Sequence, residues 1–311
     1  MKLLTYSYNN VKSLGCIIDK SKIINVSKSS NRTLPDNLAD YLIDFELNNL
    51  SLSKIIKSGS IKFIDLKDAK IETLINPKSF RDFYAFRQHV KAGRKSRSLD
   101  MIPEYDQFPV FYFSNHNSII GPGKIELFNK QIDKLDFELE ICLIISKHGR
   151  NIKAKDAYQY VAGFTILNDW SSRQIQMDEM KLNLGPAKGK DFATSIGPYL
   201  VTLDELKDKM IGNLEDLRYD LDMKAFLNNK LVSIDNFKNI TWSFSDMIER
   251  ASYGVDLVPG DLLGSGTCAT GCLLEINQIN NTEMWLQDGD VVKLKIDRLG
   301  ELENKVVCID L

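Results

Sequence analysis

The sequence predicts an α+β protein that is rich in β-strands. Residues 1–30 alternate apolar and polar side chains around turn-forming residues, and the last third of the chain alternates short apolar runs with Gly, Asp and Asn. Both patterns are typical of short strands joined by turns. Stretches with apolar residues at helical spacing lie between them, so the predicted class is mixed.

Residues 1–75 are expected to form a small α+β module. Its predicted elements are antiparallel strands at 3–6, 15–18 and 23–26 and a helix within 37–57. A charged stretch at 67–70, and Pro77 soon after the apolar pair Leu74 and Ile75, indicate a connecting segment. A larger domain is therefore predicted for residues 76–311, since a chain of 311 residues has room for two unequal domains.

The larger domain is predicted to mix strands and helices in its first half and to be mostly strands in its second half. The predicted elements are a helix or helix-like turn at 79–97, buried strands at 109–113, 137–146 and 163–167, helices at 154–161 and 171–180, and strands at 262–263, 273–276, 291–296 and 306–309.

Charge and hydropathy exclude several classes of function. The chain has 40 basic and 42 acidic side chains and a net charge of −2, so no broad basic surface for nucleic acid or anionic lipid is expected. Its longest apolar stretches, such as 141–145, are far too short to span a membrane. The charge balance therefore predicts small molecules or other subunits as partners. The first residues become polar too soon for a signal peptide, which predicts a cytoplasmic protein.

The five cysteines are predicted to be reduced thiols, most of them in the core. Their number is odd, they are scattered, and most of them lie among apolar or small residues. Cys268 and Cys272 are close enough in sequence to share a soft metal, but no second Cys/His pair accompanies them. The core interpretation is therefore preferred.

Two glutamates on the predicted strand 137–146 carry the main chemical signal. A period of two places Leu139 and Ile141 on one face and Glu138 and Glu140 on the other, about 7 Å apart. Carboxylates that close repel each other unless a cation lies between them, and oxygen ligands suit a hard divalent cation. A strand face exposed to water is the alternative.

Two further carboxylates and a histidine are candidates for the same chemistry. Asp169 follows an apolar run, where the end of a strand can present a binding group, although a helix N-cap is the more common role for such a residue. Asp82 precedes His89 by seven residues, so one continuous helix would place them within about 20° of the same face. Of the three histidines, His89 alone shares a segment with a carboxylate, which makes it the candidate general base, with core packing as the alternative.

Two glycine-bearing segments were compared with phosphate-binding loops. Residues 185–191 fail the P-loop pattern, because the spacing is one residue short and Asp191 stands where Ser or Thr would hold magnesium. Residues 264–267 are able to direct backbone N–H groups at a carboxylate, with a simple tight turn as the alternative.

Taken in order, these motifs closely resemble the fumarylacetoacetate hydrolase family. The resemblance is carried by residues 82–89, 137–140, 168–173, 189–190 and 264–267. It spans about residues 78–311, and residues 1–75 are similar to the small module of prokaryotic members. The resemblance implies a catalytic domain built on a rolled mixed β-sheet, usually in a homodimer.

The resemblance also implies a role for each matching residue. Asp82, Glu138, Glu140 and Asp169 would hold one Mg²⁺, with Ca²⁺ or Mn²⁺ as alternatives; His89 would be the general base, oriented by Glu275; Arg173, Gln176 and Lys190 would stabilise an oxyanion; Tyr112 and Thr267 would bind substrate, with Arg94 or Arg97 as a further contact. Without the resemblance, Arg173 and Gln176 would be assigned to a helix surface, Glu275 to the outward face of a strand, Tyr112 to a strand core and Thr267 to a turn.

The reaction implied is hydrolysis of a carbon–carbon bond in a β-diketo acid of the fumarylacetoacetate or acylpyruvate type. His89 would activate water, and the leaving fragment would depart as an enolate held by the cation. Because such an enolate also serves decarboxylation, dehydration and tautomerisation, a lyase or isomerase acting on 2-oxo acids is the alternative. Met180 stands near the position of a tyrosine in the family's hydrolase of tyrosine breakdown, which leaves the substrate open. A metal-binding subunit without catalysis is the alternative from another class.

Overall fold

A computed structural model describes the protein at residues 1–19, 21–59, 62–95, 97–183 and 185–309. Within these ranges the strands are β1 Lys2–Tyr8, β2 Val11–Ile18, β3 Lys22–Asn25, β4 Phe63–Asp65, β5 Lys70–Ile71, β6 Phe80–Phe83, β7 Phe111–Phe113, β8 Ile119–Ile120, β9 Gly123–Leu127, β10 Leu135–Asp136, β11 Leu139–Ile145, β12 Gly149–Arg150, β13 Val161–Asp169, β14 Ser171–Ser172, β15 Thr194–Thr202, β16 Asp222–Leu227, β17 Lys230–Asn236, β18 Asp256–Leu257, β19 Leu262–Gly264, β20 Val291–Ile296 and β21 Gly300–Cys308.

The longest helix in the described ranges is α3 (Phe45–Ser58), with 14 residues. The α-helices are α1 Val26–Ser29, α2 Leu38–Ile43, α3 Phe45–Ser58, α4 Arg87–Lys95, α5 Asn129–Ile132, α6 Arg173–Met180, α7 Phe244–Ser252 and α8 Leu273–Asn280, and the 3₁₀-helices are Leu66–Asp68, Pro103–Asp106, His116–Ser118, Ala154–Tyr160, Leu203–Lys209, Leu214–Asp216 and Phe237–Asn239. None of the helices in the described part of the chain combines the length and apolar character that a membrane crossing requires.

A mixed sheet of twelve strands forms the centre of the described structure, in the order β4-β3-β2-β1-β15-β13-β11-β19-β6-β7, with β5 beside β1 and β8 beside β15. Its β19–β6 and β15–β8 pairs are parallel, whereas β11 pairs antiparallel with both β13 and β19. The strand-rich α+β class with a mixed sheet is confirmed.

The main core lies between this sheet and a second one of five strands, ordered β17-β16-β20-β21-β9. Ile141 from β11, Phe164 from β13, Met223 from β16 and Leu294 from β20 are fully buried in it. A second core on the other face of the large sheet combines the β11 side chains Cys142 and Ile144 with apolar residues of α2 and α3. Strand β11 is therefore buried on both faces, so its side chains have little access to water.

The N-terminal residues join the large sheet rather than forming a separate one. Strand β1 pairs antiparallel with β15, with Leu3 opposite Leu200. The helix predicted within 37–57 is two helices, α2 and α3, which meet at Asp44. The domain boundary near residue 75 stays a prediction.

Two predicted elements are wrong, each because a distant partner overrides the local pattern. The predicted helix at 79–97 begins instead with β6, which is buried and paired with both β19 and β7 before α4 begins at Arg87. The predicted strand at 273–276 is the start of helix α8. Its first two N–H groups, those of Leu273 and Leu274, donate to the carboxylate of Asp136, at 2.7 and 3.0 Å. This cap lies far away in the sequence, so the local pattern of residues did not reveal it.

The five cysteines are free thiols, as predicted. Cys16, Cys142, Cys268 and Cys272 are buried, whereas Cys308 is half-buried. The core interpretation is confirmed for the four buried thiols.

Replacing Phe164 by Ala is expected to destabilise the fold strongly. The Phe164 ring lies 5.1 Å from that of Phe244 and 5.6 Å from those of Tyr219 and Phe237, measured between ring centroids. Removing a fully buried ring leaves a cavity and costs about 3–5 kcal/mol of unfolding free energy. Urea denaturation measures the loss, with Tyr253→Ala as the matched control because Tyr253 is 78% exposed. Equal unfolding free energies in the two variants would contradict this assignment of the core.

Candidate active site

Three carboxylates from neighbouring strands meet in the interior. Asp82 of β6, Glu140 of β11 and Asp169 at the end of β13 each place an oxygen within 4.8 Å of the others. All three side chains are buried, and Glu140 and Asp169 have no exposed surface. The alternative prediction, that Glu140 lies on a strand face exposed to water, is therefore wrong. Asp169 is also not a helix cap, because Ser172 occupies the N-cap position of α6.

Two glycines, Gly264 at the end of β19 and Gly266 just after it, lie against these carboxylates. Gly264 lies opposite Asp82 in the sheet, and a Cβ atom at Gly264 would lie 2.3 Å from Asp82 Oδ1. The backbone N–H of Gly266 donates to Asp82 Oδ1 at 3.2 Å and to Glu140 Oε2 at 3.0 Å. Residues 264–267 were predicted to direct backbone N–H groups at a carboxylate. In the structure the N–H group of Gly266 donates to two carboxylates of the protein itself.

Glu138 lies beside this cluster and is paired with two cations. Lys190 forms an ion pair with Glu138 and lies 2.7 Å from Asp169 Oδ2, and Arg173 Nη2 lies 2.7 Å from Glu138 Oε1. Burial acts to raise the pKa of Glu138, but Lys190 and Arg173 outweigh it and lower that pKa. Glu138 is therefore held as a carboxylate.

The charges of the site leave an excess of negative charge. Asp82, Glu138, Glu140 and Asp169 have Lys190 and Arg173 as their cationic neighbours, and Arg173 is shared with a further buried carboxylate. Burial, followed by the nearby carboxylates, raises the pKa values of Asp82 and Glu140 well above their ordinary range. A bound cation would offset the repulsion that raises these pKa values, so this buried all-oxygen donor set fits a hard divalent cation such as Mg²⁺, Mn²⁺ or Ca²⁺.

His89 and Glu275 form a buried pair next to the carboxylates. His89 Nδ1 shares a hydrogen bond with Glu275 Oε1, and the second oxygen of Glu275 accepts from the N–H of Thr270 at 3.0 Å. His89 does not share a helix with Asp82, because Asp82 lies on β6 and His89 on α4. Glu275 is not on an outward strand face but is 3% exposed on α8. His89 and Glu275 therefore form the predicted pair, but helices α4 and α8 bring them together instead of the predicted elements.

Most of the remaining predicted residues contact the same network. Tyr112 donates its hydroxyl to Asp169 Oδ2 at 2.6 Å, Thr267 Oγ1 lies 3.4 Å from Glu140 Oε1, and Gln176 Oε1 accepts from Arg173 Nη1 at 3.1 Å. Arg94 and Arg97 bond instead to backbone oxygens of their own segment, those of Asp100 and Gly93. The guanidinium of Arg173 is buried, so the assignment to a helix surface is wrong for this residue.

Sequence reasoning missed Asp136 and Tyr84. Asp136 is fully buried and accepts from Arg173 Nε at 2.9 Å as well as from the start of α8. Its position two residues before Glu138 was the available signal, because alternate residues of an extended segment share a face. The Tyr84 ring packs edge-on against His89 at 5.4 Å, and burial raises the pKa of its phenol to about 12.

The fold and this site define a class: strand-rich proteins that place a buried carboxylate cluster beside a His–Glu pair. Residues 78–307 match the family model described as fumarylacetoacetate (FAA) hydrolase C-terminal. The chain therefore belongs to the fumarylacetoacetate hydrolase family.

Related proteins carry names from more than one reaction. The "Fumarylacetoacetate hydrolase domain-containing protein 2 homolog" of Dictyostelium discoideum is 29% identical over 98% of this chain and 97% of its own length. The "Oxaloacetate tautomerase Fahd2a, mitochondrial" of Rattus norvegicus is 32% identical over 64% of this chain and 59% of its own length. A crystal structure of maleylpyruvate hydrolase from Sphingobium sp. SYK-6 in complex with manganese(II) and pyruvate has a TM-score of 0.74 at 22% identity, covering 100% of both chains. Membership of the family thus leaves the reaction open.

Replacing Gly264 by Ala is expected to weaken cation binding at the carboxylate cluster. The added methyl group would meet Asp82 Oδ1 at 2.3 Å, so the carboxylate must move away. We expect the rise in melting temperature on adding Mn²⁺ to fall at least several-fold in this variant, as measured by differential scanning fluorimetry. Gly185→Ala is the matched control, since among the described residues, its chain neighbours aside, no atom lies within 4 Å of its Cβ position. An unchanged Mn²⁺ response in Gly264→Ala would contradict this arrangement.

Proposed function

We propose that this protein is a divalent-cation-dependent enzyme that hydrolyses a carbon–carbon bond in a β-diketo acid of the fumarylacetoacetate or acylpyruvate type. The observation that carries the proposal is the His89–Glu275 pair beside four buried carboxylates. A histidine oriented by a carboxylate is the usual arrangement for taking a proton from water near neutral pH. The pair therefore favours a reaction in which water is the nucleophile.

In this proposal His89 is the general base. Its Nδ1 atom is engaged by Glu275, which leaves Nε2 to accept a proton from water. The carboxylate of Glu275 fixes the tautomer and stabilises the imidazolium that forms, in the manner of other carboxylate–histidine pairs. The hydroxide oxygen then bonds to the carbonyl carbon of the substrate.

Cationic and polar side chains stabilise the charge that develops on the carbonyl oxygen. We assign this role to Lys190, Arg173 and Gln176, which lie together beside Glu138. Donors held in place in a buried site cost little reorganisation during the reaction. The bond between the carbonyl carbon and the neighbouring carbon then breaks, and its electron pair stays on the leaving carbon, which takes up a proton.

The remaining assignments concern the cation and the substrate. Asp82, Glu138, Glu140 and Asp169 would hold the cation, which we propose to be Mg²⁺ with Mn²⁺ or Ca²⁺ as alternatives. When bound, it supplies Lewis-acid stabilisation of negative charge on the oxygens of an oxo acid.

Substrate binding is assigned to Tyr112, Thr267, Arg94 and Arg97. A cavity of about 310 Å³ lined by Tyr112, Ser114 and Lys190 opens beside the site. Pockets of about 300–1,000 Å³ are typical of small-molecule sites. This volume is therefore compatible with a small oxo acid.

The alternative is a lyase or isomerase acting on 2-oxo acids at the same residues. It is favoured by the relative named as an oxaloacetate tautomerase, which is 32% identical to this chain. Tautomerisation moves a proton between carbon and oxygen and needs no attacking water. His89 would then exchange a proton with the substrate carbon instead of with water.

A substrate panel separates the two reactions. Acylpyruvates and fumarylacetoacetate are followed by loss of diketone absorbance, and oxaloacetate by enol absorbance and by release of CO₂, each with Mg²⁺ and with chelator. We expect Mg²⁺-dependent cleavage of a diketone that is lost in His89→Ala. Intact diketones together with Mg²⁺-dependent conversion of oxaloacetate would replace the hydrolase proposal by the alternative.

Two further properties stay predictions from the family resemblance. The protein is expected to act as a homodimer, which sedimentation velocity measures directly. It is also expected to function in the cytoplasm, which fluorescence microscopy of a tagged chain tests.

A further inference from the structure

A second group of potential metal ligands lies beside the carboxylate cluster. His89, Cys272 and Glu275 are all buried, and each places a ligand atom within 4.8 Å of the other two. Cys272 Sγ lies 3.9 Å from Glu275 Oε1, the oxygen that also bonds to His89 Nδ1. The proposed reaction uses the imidazole and the carboxylate but has no role for the thiol.

The surrounding structure holds these three groups in converging positions. The N–H of Thr270 occupies Glu275 Oε2, so Oε1 is the oxygen that faces His89 and Cys272. Cys272 is the N-cap residue of α8, whose first two N–H groups donate to Asp136 rather than to the thiol. Burial and the nearby Asp136 raise the pKa of this thiol, whereas Arg173 acts in the opposite direction.

We propose that His89, Cys272 and Glu275 form a second metal site, selective for a thiophilic cation such as Zn²⁺, and that occupation of this site switches the enzyme off. Sulfur, imidazole nitrogen and one carboxylate oxygen are preferred zinc ligands, whereas the first cluster offers oxygen alone. Around a tetrahedral zinc, such donor atoms lie about 3.3–3.6 Å apart. The 3.9 Å between Cys272 Sγ and Glu275 Oε1 needs only a small adjustment to reach this range. His89 Nδ1 and Glu275 Oε1, which are in hydrogen-bond contact, must move apart for the metal to enter between them.

Zinc binding here disables His89 through its tautomer. The thiol of Cys272 loses its proton to solvent on binding the metal. His89 Nδ1 becomes a zinc ligand in place of its hydrogen bond to Glu275, so the proton of the neutral imidazole resides on Nε2. A protonated Nε2 cannot accept a proton from water. This inhibition rests on the proposed function, whereas zinc binding does not.

Spectroscopy with Co²⁺, a stand-in for zinc, tests the site directly. The full chain is first saturated with Mg²⁺ and then titrated with Co²⁺, while thiolate-to-cobalt charge-transfer absorbance is recorded in the near ultraviolet. We expect one equivalent of this absorbance in the wild type and in Cys268→Ala, and its loss in Cys272→Ala. Cys268 is the matched control because it is equally buried and lies four residues away. Cys272→Ser, which keeps the size of the side chain, serves if Cys272→Ala fails to fold.

Absent charge-transfer absorbance in the wild type, or absorbance that survives in folded Cys272→Ala or Cys272→Ser, would overturn the site.

Inhibition by zinc is the second test. Residual turnover of the oxo acid is measured with and without Zn²⁺ in the presence of excess Mg²⁺. We expect the zinc concentration for half inhibition to be at least tenfold higher in Cys272→Ala than in Cys268→Ala. Equal inhibition of the two variants would place the zinc effect at the carboxylate cluster and overturn the switch. Cysteine-dependent Co²⁺ absorbance in a protein that turns over no oxo acid would support the site and reject the proposed function instead.

Discussion

Replacing His89 by Ala is expected to lower kcat for diketone cleavage by about 10²–10⁴-fold, the usual contribution of a positioned general base. The imidazole is held by Glu275 and by the edge-on ring of Tyr84, so its removal takes away a proton acceptor that is fixed in orientation. The binding of Mn²⁺ should be nearly unchanged, because His89 does not belong to the carboxylate cluster of Asp82, Glu140 and Asp169. Steady-state kinetics at saturating Mg²⁺ measures the effect on kcat.

His148→Ala is the matched control for this experiment. The His148 side chain is 65% exposed and lies 3.6 Å from Asp256. It has no role in the proposed chemistry. Glu275→Gln should give a smaller loss than His89→Ala, because the amide oxygen still accepts from Nδ1 but carries no charge to stabilise the imidazolium. Cleavage by His89→Ala at the wild-type rate would eliminate His89 as the base.

Removing the divalent cation is expected to abolish turnover and to lower the stability of the protein. With the cation absent, the charges of the buried carboxylates are only partly compensated by Lys190 and Arg173. A ligand present at about 100 times its Kd stabilises the folded state by about 2.7 kcal/mol, which corresponds to a rise of several degrees in Tm for a protein of this size. Calorimetric scans with Mg²⁺, with Mn²⁺ and with chelator measure this change.

Glu140→Gln is expected to lose this cation-dependent stabilisation and the turnover together. The amide keeps the volume and cannot become a buried negative charge, so the variant should be at least as stable as the metal-free wild type. Glu249→Gln is the matched control, since Glu249 lies on α7 with its side chain 42% exposed. A Tm that rises equally with Mn²⁺ in the wild type and in Glu140→Gln would show that the cation binds elsewhere.

Much of the candidate site could be predicted from short stretches of sequence. The alternation placed Glu140 on the face of β11 opposite Ile141, and in the structure Ile141 lies in the main core while Glu140 joins the carboxylate cluster. Glu138 lies just before β11 begins. Such inferences succeed because the period of a strand is a local property of the backbone. Residue types at positions that match the motifs of the family indicate His89 and Glu275 without any knowledge of the geometry.

The tertiary structure decided what a local pattern does not contain. Asp136 caps α8 across 137 residues, and the contact between His89 and Glu275 spans 186 residues. The same long-range packing makes a strand of Phe80–Phe83 and brings Cys272 beside the His89–Glu275 pair. Sequence periodicity predicts which face of an element a residue occupies. The contacts between faces of different elements depend on the burial of apolar surface and on hydrogen bonds to buried polar groups over the whole fold. The sequence therefore determined the strand-rich class and the types of residue in the site, and the packing of distant segments determined their arrangement.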